Sequence, residues 1–171
     1  TKGAAYTELD DKNQQFVYGR SEVINFSNQI GEVNCKKLAI IAVGSMVKTA
    51  VQVRDKIKEA TNYEPEVVNL RFINPLDKER VQETLESFDY VAVMEESVVR
   101  GSIGEAVAYE LAQQDTQCRL LHFCIEPETV QHGNVNRLKE ELGLLDSREA
   151  YKSQYYTYMM NGLLTQCVRI K

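Results

Sequence analysis

The chain has 171 residues, 43% hydrophobic and 26% charged, with a formal net charge of −5. That length can bury a core in one domain, with room for an extra arm, and needs no disulfide staples. The acidic balance argues against a nucleic-acid protein, whose affinity rests on a basic surface. The lack of any long apolar run argues against a membrane-spanning helix.

The first residues, TKGAAYTELDD, have neither an initiator Met nor the apolar segment of a signal peptide. A chain processed or cut from a longer one is expected. Residues 1–14 are polar and expected to be poorly ordered. Residues 1–35 together suggest an extended lead-in with a hairpin before the first main strand. Lys36-Lys37, the only basic doublet, opens that strand as a solvated entry.

LAIIAV, residues 38–43, is a short apolar run ending at Gly44, the pattern of a strand buried on both faces. Residues 45–60 predict a helix with Ser45 as N-cap. EVVNL, residues 66–70, predicts a second strand with RFINPLD as its exit. Asp77 is placed to cap a helix over KERVQETLESF. YVAVM, residues 90–94, predicts a third strand, GSIGEAVAYELAQQ a third helix, and CRLLHFCI, residues 118–125, a fourth strand. NVNRLKEELGLL predicts a further helix with Gly143 as its C-cap. The final stretch is expected to be helical, and its Tyr151, Tyr155, Tyr156 and Tyr158 lead into Met159-Met160 as core or partner interface.

This alternation with short connections predicts an α/β fold. It is doubly wound, a three-layer α/β/α arrangement with a mostly parallel sheet of about five strands.

Four cysteines, Cys35, Cys118, Cys124 and Cys167, form no CxxC pair, and only two histidines are present. A zinc site, with its three or four clustered ligands, is not expected. A reducing cytoplasm is the simplest context.

The segment MEESVVRGSIGEAVAYEL, residues 94–111, holds the strongest candidate site. Gly101 and Gly104 give only G-x-x-G, short of the dinucleotide fingerprint, and the P-loop pattern is absent. The helix opening near Gly101 could accept an anion at its N-terminus. Glu95 and Glu96 end a predicted parallel strand, where open α/β sheets place their ligands, so a general acid or base there is one reading. No nucleophile accompanies them. His122, inside LLHFC, is expected to be a satisfied core or face residue. His132 is the better functional candidate, with loop hydrogen bonding as the plainer alternative.

The succession LAIIAVGSMVKTAVQ, VVNLRFINPLD, YVAVMEESVVRGSIGEAV and VQHGNVNRLKEELGL resembles the C-terminal domain of the transketolase family, over about residues 17–145. Within that family it is most similar to the 1-deoxy-D-xylulose-5-phosphate synthase branch. The resemblance rests on RFINPLD, EES, the glycines opening the next helix, HG and ELGL in that order.

The resemblance implies homodimeric enzymes that use thiamine diphosphate and a divalent metal, magnesium. It implies that pyruvate and glyceraldehyde 3-phosphate are joined with loss of carbon dioxide, feeding isoprenoid and thiamine synthesis. Cofactor and metal would be held by two upstream domains, the metal by a GDG…N motif that this sequence lacks. Residues 1–35 would then be the tail of the preceding domain, 36–145 the C-terminal domain and 146–171 a helical extension. The chain alone would bind no cofactor and be inactive. Its partners would be the upstream domains and a homodimer mate.

VYGR, residues 17–20, looks like the family's Tyr-Pro-Arg-Gly segment, whose arginine helps hold the substrate phosphate. Arg20 matches it, with Gly19 in place of proline and Ser21 in place of glycine. Glu95, Glu96, Gly101 and Gly104 are expected to form a structural and interface joint rather than a catalytic centre. Three alternatives stay open. They are the equivalent domain of a 2-oxo acid dehydrogenase β subunit, that of transketolase itself, and a free-standing α/β module that binds a small anion.

Overall fold

The computed structural model describes residues 17–25, 28–29, 36–125 and 132–142. In chain order the elements are β1 (Glu22–Asn25), β2 (Asn28–Gln29), β3 (Leu38–Ala42), α1 (Met46–Thr61), β4 (Tyr63–Glu64) and β5 (Glu66–Asn69). They continue with α2 (Lys78–Ser87), β6 (Tyr90–Val98), α3 (Ile103–Ala112), β7 (Arg119–Ile125) and α4 (Val135–Glu141).

Five strands form one sheet in the order β1-β5-β3-β6-β7. The β5, β3, β6 and β7 strands run parallel, and β1 joins β5 antiparallel. Every residue of β3 is buried, as its unbroken apolar run requires of a strand covered on both faces. Its side chains alternate between two cores. Leu38, Ile40 and Ala42 meet Met46, Val47, Ala50, Val51 and Ile57 of α1. Ala39 and Ile41 lie in the second core with Val81 and Leu85 of α2 and Ile103 and Val107 of α3. The helices therefore cover both faces, which makes the three-layer, doubly wound arrangement expected from the sequence.

Two local expectations change. Among the described residues of the lead-in, β1 covers the open edge of β5 and β2 pairs with β4 in a separate two-stranded ribbon, rather than the two pairing with each other as a hairpin. Covering an edge satisfies backbone groups that an exposed strand leaves open. Ser45 stands at the N-cap position of α1, but its own backbone is already helical (φ −65°, ψ −21°) and its side chain caps nothing. Asp77 does cap α2, accepting from the Arg80 N–H. Gly143 and the tyrosine-rich stretch from 146 onward lie outside the described residues, as do residues 1–16.

The chain steps from β3 to β5 on one side, then crosses back to β6 on the other. The ends of β3 and β6 thus flank the point where the sheet's winding reverses, the usual place for a ligand crevice in such folds. Glu95 and Glu96 stand there.

Candidate functional site

The β6 strand does not stop at Met94 but runs to Val98, and its pairing with β7 shifts between Met94 and Val98. Glu95 and Glu96 are therefore strand residues in an irregular stretch, and alternation sends them to opposite sides. Glu96 is partly exposed and pairs with Lys139 of α4. Lys139 Nζ also lies 3.5 Å from Ser45 Oγ. One lysine thus ties the short helix α4 to the ends of β6 and β3.

Glu95 turns inward and is 2% exposed. Its Oε1 accepts from the Gly104 N–H at 2.8 Å and lies 2.7 Å from His122 Nε2. Its Oε2 accepts from the Ile103 N–H at 3.1 Å and from the Ser97 hydroxyl. Ile103 and Gly104 open α3, so the carboxylate is an internal anion seated on a helix N-terminus. Burial alone pushes its pKa up. The bonds from Ser97, the Gly104 N–H, His122 and the Ile103 N–H outweigh burial and hold it below the usual carboxylate range.

The two glycines serve this seat in different ways. Gly101 has φ +73°, a left-handed conformation that turns the chain from β6 into α3. Gly104 is small because His122 is there: a Cβ on residue 104 would lie 2.2 Å from His122 Nε2. Ser102 caps the helix through the Glu105 N–H, and Glu105 in turn accepts from the Gly101 N–H.

This geometry bears on each reading of the segment. A general base needs a lone pair open to substrate; Glu95 is buried and takes four donors. A Ser–His–acid relay places the histidine between the other two; here Ser97 and His122 both point at Glu95, so nothing activates the serine. An anion at the start of α3 would need the N–H groups of Ile103 and Gly104, which Glu95 already holds. The bonds of Glu95 tie β6 to β7 through His122 and to α3 through the Ile103 and Gly104 N–H groups.

His122 was expected to be a satisfied residue of a strand, and it is one, with Glu95 as its partner. His132 is exposed in the bend before α4. Arg20 lies elsewhere, at the start of α2. Its Nη1 is 3.2 Å from Asp77 Oδ1 and 2.5 Å from Glu79 Oε2. Asp77 also accepts from the Ser21 N–H at 2.8 Å and the Ser21 hydroxyl at 2.9 Å. Burial raises the Asp77 pKa, but the bonds from Ser21, the Arg80 N–H and Arg20 together bring it below the usual range. Among the described residues, no three His, Cys, Asp or Glu side chains are grouped to hold a metal ion.

Residues 32–148 match the family described as transketolase, C-terminal domain. The chain belongs to that family. It is 38% identical to the 1-deoxy-D-xylulose-5-phosphate synthase of Lachnoclostridium phytofermentans, over 84% of this chain and 22% of that protein. It is 32% identical to the synthase of Heliobacterium modesticaldum, over 83% of this chain and 21% of that one. The chain thus spans about a fifth of the length of these curated relatives. Among solved structures it resembles a split-gene transketolase described as an inactive β4 tetramer, with a TM-score of 0.70 and 23% identity. That likeness covers 93% of this chain and 46% of the other, and it concerns the fold. The family resemblance and the mostly parallel α/β sheet expected from the sequence are both what is found.

Proposed function

We propose that this chain acts as the C-terminal, non-catalytic assembly domain of a thiamine-diphosphate-dependent 1-deoxy-D-xylulose-5-phosphate synthase. The observation that carries the reading is the 38% identity to such a synthase over most of this chain but only 22% of the relative. The joint around Glu95 supports it: its polar groups face one another inside the fold and leave no base or nucleophile free. In this reading thiamine diphosphate and magnesium bind to the parts of the synthase outside this domain. The reaction joins pyruvate to glyceraldehyde 3-phosphate, and the assembled enzyme is a homodimer in the cytoplasm.

Arg20 fits a phosphate role less well than its motif implies. Two carboxylates, Asp77 and Glu79, flank its guanidinium and would repel a phosphate dianion. In this reading Arg20 first fastens the 17–21 segment to α2 and reaches a phosphate only by leaving Glu79.

The test uses Glu96→Ala in the assembled synthase. The change is expected to weaken subunit association or stability and leave thiamine diphosphate affinity unaltered, read by sedimentation and by cofactor titration. Lost cofactor binding with an intact assembly would contradict the proposal.

A further inference from the structure

At the winding reversal, one side chain fills the polar end of the crevice. Lys139 of α4 reaches Glu96 near the end of β6 and lies 3.5 Å from Ser45 Oγ, just past β3. Its ammonium thus stands between the polar groups that two neighbouring parallel strands present there. The Lys139 side chain is 20% exposed and that of Glu96 34%, so solvent and salt reach the pair.

Little else fastens α4. It has seven residues, too few to persist as a helix alone. Among its described side chains none is buried: Leu138 and Lys139 are partly covered, and Val135, Asn136, Arg137 and Glu141 are exposed. Asn134 Oδ1 accepts from the Asn136 and Arg137 N–H groups, and Arg137 Nε donates to Glu141 Oε1 at 2.8 Å. These bonds stabilise the helix but attach it to nothing. Among the described residues, every ion pair or side-chain hydrogen bond from α4 to another element runs through Lys139. The remaining tie is apolar: Leu142, just past the helix, packs against the core shared with α1. The contrast with α3 is sharp. Buried Glu95 holds the first turn of α3 by two backbone N–H groups, whereas its neighbour Glu96 holds α4 from the surface.

We propose that α4 is a charge-dependent latch on this crevice. It leaves the ends of β3 and β6 ahead of the rest of the fold when the Lys139–Glu96 pair is screened or broken. Closed, the lysine occupies the crevice. Open, the Glu96 carboxylate and the Ser45 hydroxyl face solvent without it. Screening separates this latch from the rest of the fold: the Debye length falls from about 8 Å at physiological ionic strength to about 3 Å at 1 M. Salt therefore loosens the partly exposed hold on α4 and spares the buried hold on α3. Few buried contacts and a solvent-reached attachment are the marks of an element that opens locally. The device lies within this domain and does not depend on the function proposed above.

The test is hydrogen exchange read by mass spectrometry, on the protein as its source cells make it, at low ionic strength and in about 1 M sodium chloride. A detached α4 does not stay helical, so opening shows as lost amide protection. Residues 135–142 are expected to lose protection by about fivefold in salt, the upper end for an exposed ion pair, while β3, β6 and α3 keep theirs. Lys139→Met retains the apolar stem without the charge. It is expected to show the same loss at low salt, no further response to salt, and an unchanged melting temperature. Exchanging the charges, with Glu96→Lys and Lys139→Glu together, should restore both the protection and its salt dependence. Protection of 135–142 equal to that of β3 and β6 would overturn the proposal, because α4 would then open only with the whole fold. Protection unmoved by salt, or a salt response that Lys139→Met leaves unaltered, would overturn it too, because the ion pair would not be the latch.

Discussion

Glu95 is the residue on which the joint turns. Removing its carboxylate leaves the Ile103 and Gly104 N–H groups buried without an acceptor. Glu95→Ala should therefore lower stability by about 3 kcal/mol, measured by urea unfolding. The pH dependence follows from the direction of its shift. The folded-state pKa lies below the ordinary value of 4.5. The stability it contributes is fully present above that ordinary value and is lost as the pH falls through the lowered one. An acid titration of stability should show this loss in the natural chain and a shallower one in Glu95→Ala, with Asp77 contributing in the same direction in both.

Gly104 and His122 form a second residue-scale test. Gly104→Ala drives a Cβ into the imidazole and should cost about 1–3 kcal/mol. In a His122→Ala background the clash is gone, so the same change should cost much less. Equal costs in the two backgrounds would mean that the ring is not wedged there. The acidic pair and the glycines could be picked out of the sequence. The His122–Glu95 bond could not, because it depends on β7 lying beside β6 and on the irregular pairing after Met94. The available signal was a histidine in an apolar strand, whose partner in the neighbouring strand, Val93, comes two residues before the acid.

At the scale of elements, apolar runs and caps carried most of the information. Continuous runs such as LAIIAV and YVAVM marked the parallel strands, since both their faces are buried. Asp77 marked the start of α2. The edge strand β1 escaped because only β5 gives it a pairing partner, and that contact is distant in sequence. The β6 strand outran its prediction because Glu95 and Glu96 are polar, and their partners come from α3, α4 and β7. Asp77 joins two elements, as the cap of α2 and the anchor of the segment leading into β1. Asp77→Ala should cost about 1–2 kcal/mol. Hydrogen exchange should accelerate in residues 20–25 as well as in the first turn of α2. Acceleration confined to the helix would show that the anchor is idle.

Across the whole molecule, the sheet order places the joint at the winding reversal, where related architectures often keep a ligand. Here the site is filled from within, by a carboxylate, a histidine and a lysine-tied helix. The fold class was readable because the β-α alternation is regular and the strands are strongly apolar. The proposed division of labour between this domain and the rest of a synthase rests on family resemblance and on the small share of the relatives that this chain spans. The deciding measurement is 1-deoxy-D-xylulose-5-phosphate formation from pyruvate and glyceraldehyde 3-phosphate. It compares this chain alone with the assembly isolated through it from source cells, both supplied with thiamine diphosphate and magnesium. Turnover by the assembly and none by the chain alone is the predicted result. Turnover by the chain alone, or an assembly that forms no product, would contradict the account.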